Sequence, residues 1–329
     1  MTTTAPHQTP RTVLILGANG RFGRAAVGAF RAAGWQVRAF VRPGRTLPSD
    51  VVRIEGDAFQ AADVAAAAQG ADVIVHALNP PYTKWRTDLP RLAANVLAAA
   101  RASGAGVMIP GNVYNHGAGM PAVLREDTAH RPTTHKGHLR ETMEQSFRDA
   151  AAHGVHTVVL RAGDFIEAAQ TGNWFDRFIA AKVDRGIAVY PGPRDRVHAW
   201  AYLPDMARAM VALAERADAP SGFETFNFEG YNVTGAQLIA ALETATGKPL
   251  KVRGVPWGMM RLIALFAPMI REVLEMRYLW QVPHALDGAT LQAALPTFKP
   301  TPLADCLREV LPAVQTAPAK TAPRASALA

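Results

Sequence analysis

The stretch LILGANGRFG, residues 14–23, constrains this chain more than any other. Just before its first glycine, TVLIL (12–16) is almost wholly apolar, as expected of a parallel strand buried on both faces. After it, Phe22, Ala26 and Phe30 fall at helical spacing, and Gly34 closes the run. Strand, glycine turn and helix therefore follow one another directly. In that setting Gly17 permits a tight turn, Gly20 lets a pyrophosphate approach the backbone, and Gly23 lets helix and strand pack closely. The helix start adds unpaired N–H groups and a positive dipole for phosphate.

The same alternation continues. WQVRAFV (35–41), VVRI (51–54), DVIVHAL (72–78), GVMIP (106–110) and VHTVVLRAG (155–163) read as strands. AFQAADVAAAAQG, TDLPRLAANVLAAARASG and HLRETMEQSFRDAAAHG read as helices between or after them. Right-handed crossovers then imply an α/β fold: a Rossmann-type doubly wound parallel sheet with a smaller C-terminal substrate lobe. The expected boundaries are a disordered 1–10, a dinucleotide-binding domain over 11–165, a substrate lobe over 166–313 that returns some strands to the sheet, and a disordered tail over 314–329. Within the lobe, NWFDRFIAAKV and LPDMARAMVALAERA look helical and FETFNFEG is a strand. TGAQLIAALETATG is a helix capped by Thr234.

Composition excludes several function classes. With 49% hydrophobic and 19% charged residues in 329, the chain is an ordinary globular protein. Its net charge of +8 comes from dispersed arginines and lysines rather than a basic run, so no nucleic-acid partner is expected. A lone cysteine, Cys306, excludes an internal disulfide framework and fits a reducing cytoplasm. MTTTAPHQTP lacks a secretory pattern, and WGMMRLIALFAPMI (257–270), interrupted by Arg261 and Pro268, is too short to span a bilayer. That stretch reads as a buried or interfacial helix. The oligomeric state stays open, a homodimer included.

The glycine spacing G-x-x-G-x-x-G in GANGRFG resembles the short-chain dehydrogenase/reductase superfamily, specifically its extended and atypical members, among them sugar-nucleotide epimerases and dehydratases. The resemblance runs from residue 12 to about 312 through Gly56-Asp57, His-Ala-Leu-Asn-Pro at 76–80, NVYNHG at 112–117, LRAGDF at 160–165 and HAWAYLPDMARA at 198–209. It implies a nicotinamide cofactor held by Gly17, Asn19, Gly20, Arg21, Phe22, Gly23, Ala77 and Asn79, with Asp57 at the adenine amino group. The alternative role for Asp57 is an N-cap for 58–68. The second strand ends in AFVRPGR with Arg42 and Arg45 and no carboxylate before Asp50. An arginine fork suits a 2′-phosphate, so NADP(H) is expected over NAD(H), with Arg42 assisted by Arg45 or Arg21.

The same resemblance exposes a departure. These enzymes use a Ser or Thr, a Tyr and, four residues on, a Lys. Here the matching positions hold Pro110, Lys136 and Arg140. Arg140 could hold the ribose hydroxyls. Lys136, desolvated beside a cation, could exchange a proton near neutral pH, with Asn112 and Tyr114 binding the substrate oxygen. The alternative pairs Arg140 with Glu144 and leaves Lys136 in solvent. His130, His135 and His138 lack a carboxylate or thiolate to complete a metal site, so no metal is expected. Trp85, Trp174, Trp200 and Tyr202 are candidate pocket aromatics or, equally, core.

Two functions remain. One is an NAD(P)-dependent oxidoreductase or epimerase/dehydratase-like enzyme, acting on a small carbonyl, hydroxyl or sugar-type substrate with a rearranged acid–base set. The other is a non-catalytic NADPH-binding sensor or assembly factor, which the missing triad favours; the retained glycine loop and the candidate pocket aromatics favour the enzyme, and that reading is preferred.

Overall fold

The structure, a computed structural model, describes residues 11–169, 171–216 and 222–316. Residues 1–10 and 317–329, which hold most of the expected disordered ends, lie outside them; residues 314–316, expected in the tail, instead continue the last helix.

Strand β1 (Thr12–Leu16), wholly buried, feeds helix α1 (Arg21–Ala32), and the chain returns through β2 (Gln36–Val41) and β3 (Val52–Glu55). Helix α2 (Ala61–Ala68), β4 (Val73–His76), α3 (Trp85–Ser103) and β5 (Gly106–Gly111) continue the alternation. A two-residue strand, β6 (Val123–Leu124), precedes α4 (His135–Ala150) and β7 (Thr157–Arg161). Next come β8 (Asp164–Ile166), β9 (Ile187–Tyr190), β10 (Val197–Tyr202), α5 (Leu203–Ala214) and β11 (Phe223–Asn227). The chain closes with β12 (Tyr231–Thr234), α6 (Gly235–Thr246), β13 (Lys251–Gly254), α7 (Trp257–Ile263), α8 (Pro268–Glu275), β14 (Ala285–Leu286), α9 (Ala289–Ala294) and α10 (Leu303–Thr316).

Seven strands form one parallel sheet in the order β11-β7-β5-β4-β1-β2-β3. Strand β11 reaches it from the C-terminal half, beside β7. One face is covered by α1 and α5, through Phe22, Phe30, Met206 and Met210. The other is covered by α2, α3 and α4, through Val64, Leu89, Val96 and Phe147. With both faces covered, the strands must be apolar throughout, which explains the continuous runs in the sequence. Between β1 and β4 the strand order reverses, so a crevice opens at the carboxyl ends of the strands. A separate aromatic core around Trp200, Phe175 and Trp280 packs the three-stranded sheet β12-β10-β8 against α6 and α10. Helix α6 starts at the expected Thr234, in a full capping box with Gln237.

Two expected helices are different. Residues 173–183 form a five-residue π-turn, Phe175–Ile179, and a separate 3-10 turn, Val183–Arg185. Phe175 packs on Trp200 while Trp174 packs on Phe178, Trp257 and Trp280. Consecutive aromatics thus need partners in different directions, which one apolar helical stripe does not supply. Residues 257–270 split into α7 and the start of α8, because Pro268 opens a new helix and holds Ala267 extended. The connection is not buried: Leu265 is 68% and Phe266 90% exposed.

Candidate cofactor and substrate cleft

The crevice is a cleft of about 1110 Å³ that runs from the glycine loop, past the ends of β2, β4 and β5, to β8 and α8. The loop is shaped by close backbone approach. Gly17 has φ of 81°, and a Cβ there would lie 2.6 Å from the Ala77 carbonyl oxygen. A Cβ on Gly23 would lie 2.1 Å from the Gly17 carbonyl oxygen, so this position holds helix against strand. Asn19, Gly20, Arg21, Phe22, Ala77 and Asn79 line the cleft with Gly17, while Gly23 is buried behind it. The Asn19 Nδ2 atom is buried without a partner, as are both ring nitrogens of His76, which also lines the cleft. Such orphaned groups around a cradle with no room for side chains at Gly17 and Gly23 fit a polar nucleotide. Burial pushes the His76 pKa down to about 3, so its ring is neutral.

Arg42 and Arg45 line the cleft at the end of β2, both exposed. The acidic residue beside them, Glu55, is ion-paired with Arg53 at 3.1 Å. Arg21 turns elsewhere: its Nε donates to Thr171 Oγ1 at 2.6 Å and lies 3.2 Å from Glu167 Oε1. It closes the cleft rather than standing beside Arg42. Asp57 also lines the cleft but caps no helix, since α2 begins at Ala61 after Gln60; its carboxylate accepts the Phe59 N–H at 3.0 Å.

At the far end, helix α4 begins one turn earlier than the sequence suggests. Thr134 is its N-cap and accepts the Gly137 N–H at 3.1 Å. Lys136 and Arg140 then stand one turn apart yet point into different surroundings. Lys136 is wholly buried, its ammonium bonded to both Glu272 and Glu275 of α8 and lying 5.2 Å from the centre of the Tyr82 ring. Its neighbours are carboxylates, not the cation expected, and it is not in solvent. It does not line the cleft. Arg140 does, with its guanidinium 5.1 Å over Trp85 and its Nε buried without a partner. Glu144 is unavailable to Arg140: it makes a buried pair with Arg161, 2.7 Å at the closer contact. Burial pushes the Glu144 carboxyl up, and Arg161 more than offsets this, leaving it below its ordinary value.

Arg161 also donates to the Asn112 carbonyl, and Asn112 Oδ1 accepts the Tyr114 N–H at 3.0 Å. Tyr114 is thereby set at the cleft wall, where its hydroxyl meets that of Tyr82 at 2.9 Å. Burial raises the pKa of both phenols. Asp164 faces the same space, bonded to His198 at 2.8 Å, and His198 stacks on Trp280 at 4.2 Å. Of the four aromatics singled out in the sequence, Trp85 and Trp174 line the cleft, whereas Trp200 and Tyr202 are core. Among the described residues no group of three or more His, Cys, Asp or Glu is arranged to hold a metal ion. Nor is any helix among them long and apolar enough to cross a membrane.

Sequence reasoning missed Tyr82, Asp164 and Trp280. Tyr82 follows Pro80-Pro81 and opens a three-residue 3-10 turn with no periodicity to read, and Trp280 ends another 3-10 turn. Asp164 sits inside LRAGDF, where only its place in a recognised stretch singled it out.

Residues 17–174 match the family model described as NAD(P)H-binding. A curated relative, dTDP-6-deoxy-L-talose 4-dehydrogenase (NAD(P)(+)) of Kitasatospora kifunensis, is 26% identical over 273 residues, covering 77% of this chain and 85% of its own. Among solved structures, UDP-glucose-4-epimerase from Stenotrophomonas maltophila, with bound NAD and formylated UDP-arabinopyranose, superposes with a TM-score of 0.74. It is 18% identical and covers 93% of this chain and 98% of its own. UDP-glucose 4-epimerase from Bifidobacterium longum, in complex with NAD+ and UDP, gives 0.72 at 18% identity, with the same coverage of 93% and 98%. These structures share the fold. The chain carries an NAD(P)H-binding region over 17–174 and resembles the extended short-chain dehydrogenase/reductase superfamily. It is an enzyme of the nicotinamide-dependent oxidoreductase/epimerase type.

Proposed function

We propose that this chain is an NADP(H)-dependent oxidoreductase, or an epimerase or dehydratase-like enzyme, whose proton chemistry runs through a hydroxyl pair instead of the superfamily's Ser-Tyr-Lys set. The observation that carries it is the convergence of Arg140 and the Tyr82–Tyr114 pair on the cleft that the glycine loop opens. When bound, the nicotinamide supplies or accepts the hydride at a carbonyl or hydroxyl carbon. Arg140 is the permanent donor for the cofactor ribose, the part the superfamily gives to lysine. The two phenols, kept protonated by burial, donate to a carbonyl oxygen and give it a proton as its carbon is reduced. In the oxidative direction the same proton returns. Asn112 holds the Tyr114 backbone in place. Lys136 acts as a positioning residue, bracing the Tyr82 ring and tying α4 to α8.

Arg42 and Arg45 support the choice of NADP(H), being cations at the end of β2 with no ion pair among the described residues. We take 11–165 as the cofactor half and 166–313 as the substrate lobe, with β11 lent to the sheet. Buried Cys306 suits the cytoplasm. The test is NADPH oxidation over a panel of aldehydes, ketones, quinones and dTDP- or UDP-linked 4-keto sugars, beside a binding titration. NADPH turnover with at least one member, lost in a Tyr82→Phe, Tyr114→Phe double variant, is the expected result. Tight binding with no turnover across the panel would instead make the chain an NADPH sensor.

A further inference from the structure

The cleft's charges are unevenly shared. Among the described residues, every Arg that lines it (Arg21, Arg42, Arg45 and Arg140) comes from the first 140 positions, and no Lys lines it. Arg42 and Arg45 stand at the adenosine end; Arg21 is already held by Glu167 and Thr171. Beyond Arg140, the one ionised side chain facing the space is the carboxylate of Asp164, 28% exposed. His284 also lines it, and burial brings its pKa to about 3, so its ring adds no positive charge.

Apart from Asn173, whose amide is engaged by Glu167 and the Asp176 N–H, the rest of this half is apolar: Trp174, Val273, Met276, Leu279 and Trp280. Trp174 meets Trp280 edge-on with ring centroids 5.2 Å apart. Trp280 cannot swing away, because it is stacked on His198, which is fixed by Asp164. The two indoles thus form a rigid corner. A sugar nucleotide would carry two negative charges of a diphosphate into this half, where among the described lining residues it would meet the Asp164 carboxylate, while Arg140, held over Trp85, is given to the cofactor ribose. Burying such a charge without a partner is strongly unfavourable. A flat apolar ring would meet the indole corner instead, with the Tyr82–Tyr114 hydroxyls available for its one oxygen.

We infer that the substrate is an uncharged, ring-bearing ketone or secondary alcohol, and that the site rejects nucleotide-diphosphate sugars. This rests on the cofactor-dependent enzyme proposed above.

The full chain is first titrated with NADPH; failure at this stage sinks the functional proposal itself. The NADP+-loaded protein is then titrated by calorimetry with 2-acetylnaphthalene, 1-(2-naphthyl)ethanol, UDP and UDP-glucose. The naphthyl compounds should bind, and Trp174→Ala should weaken them about tenfold while leaving NADPH affinity unchanged. UDP and UDP-glucose should give no binding heat. If cofactor binds normally but UDP-glucose binds as tightly as the naphthyl alcohol, or no naphthyl compound binds, the substrate class is overturned. It is equally overturned if Trp174→Ala, still folded by circular dichroism, binds the naphthyl alcohol as the parent does.

Discussion

The two ends of the cleft are made of different material. At the cofactor end the floor is backbone, with side chains such as Arg42 and Asp57 only at its rim: glycines whose missing Cβ atoms leave room, the N-terminus of α1, and the carbonyl of Ala77. At the substrate end it is side chains drawn from four remote elements, with Tyr82 before α3, Tyr114 after β5, Arg140 on α4 and Trp280 after α8. A backbone site can be damaged but hardly redesigned. A side-chain site can be rewritten residue by residue on the same scaffold, and the hydroxyl pair proposed in place of Ser-Tyr-Lys would be an instance of that.

The strongest way to break this contrast is Gly20→Val. Gly20 has φ of −73° and ψ of 173°, a conformation open to valine, and its Cβ would press on the Gly17 oxygen at 3.0 Å, which a shift of the loop by a few tenths of an ångström would relieve. The fold should survive while NADPH binding disappears from a fluorescence titration; parent affinity would make the loop purely structural. Next in size is Lys136→Met. It leaves Glu272 and Glu275 facing each other without a cation, with side chains 28% and 23% exposed. That should cost about 3 kcal/mol of stability in denaturant unfolding, the low end for a broken buried pair. The pH–rate profile of the folded variant should keep both limbs. Loss of one limb would make Lys136 the acid–base group after all.

Arg42→Glu should weaken NADPH by about 2 kcal/mol through a lost charge-assisted contact and added repulsion, with NADH affinity little changed. Equal affinities for the two cofactors in the parent chain would remove the ground for that variant. Smallest is Tyr114→Phe alone. Since Tyr82 remains to donate, turnover should fall about tenfold, one hydrogen bond's worth, at unchanged cofactor affinity. A change in cofactor affinity of that size would place Tyr114 at the wrong end of the cleft.

The same contrast explains what could be read from the residues alone. The parallel sheet and the glycine loop were legible because each depends on a local pattern: apolar runs of strand length, and glycines at fixed offsets after one of them. Thr234 was legible as a cap for the same reason. The surroundings of Lys136 were not. Its partners lie 136 and 139 residues away on a helix whose own start depends on Pro268, and no spacing rule joins them. Arg140 was assigned to the cleft by its place in a motif, and it lines the cleft; its alternative partner Glu144 is taken by Arg161, which only the tertiary fold brings near.

The clamp at Lys136 has one more consequence, for how the protein responds to its ionic surroundings. Ion pairs on the surface weaken as dissolved salt gathers around them, but a cation with no exposed surface is reached poorly by that atmosphere. The contact between α4 and α8 should hold in concentrated chloride as it does in dilute buffer. Arg42 and Arg45, proposed above to hold a 2′-phosphate, are exposed at the other end of the cleft, and such a contact should slacken. Raising salt should therefore loosen the cofactor well before it loosens the lobe.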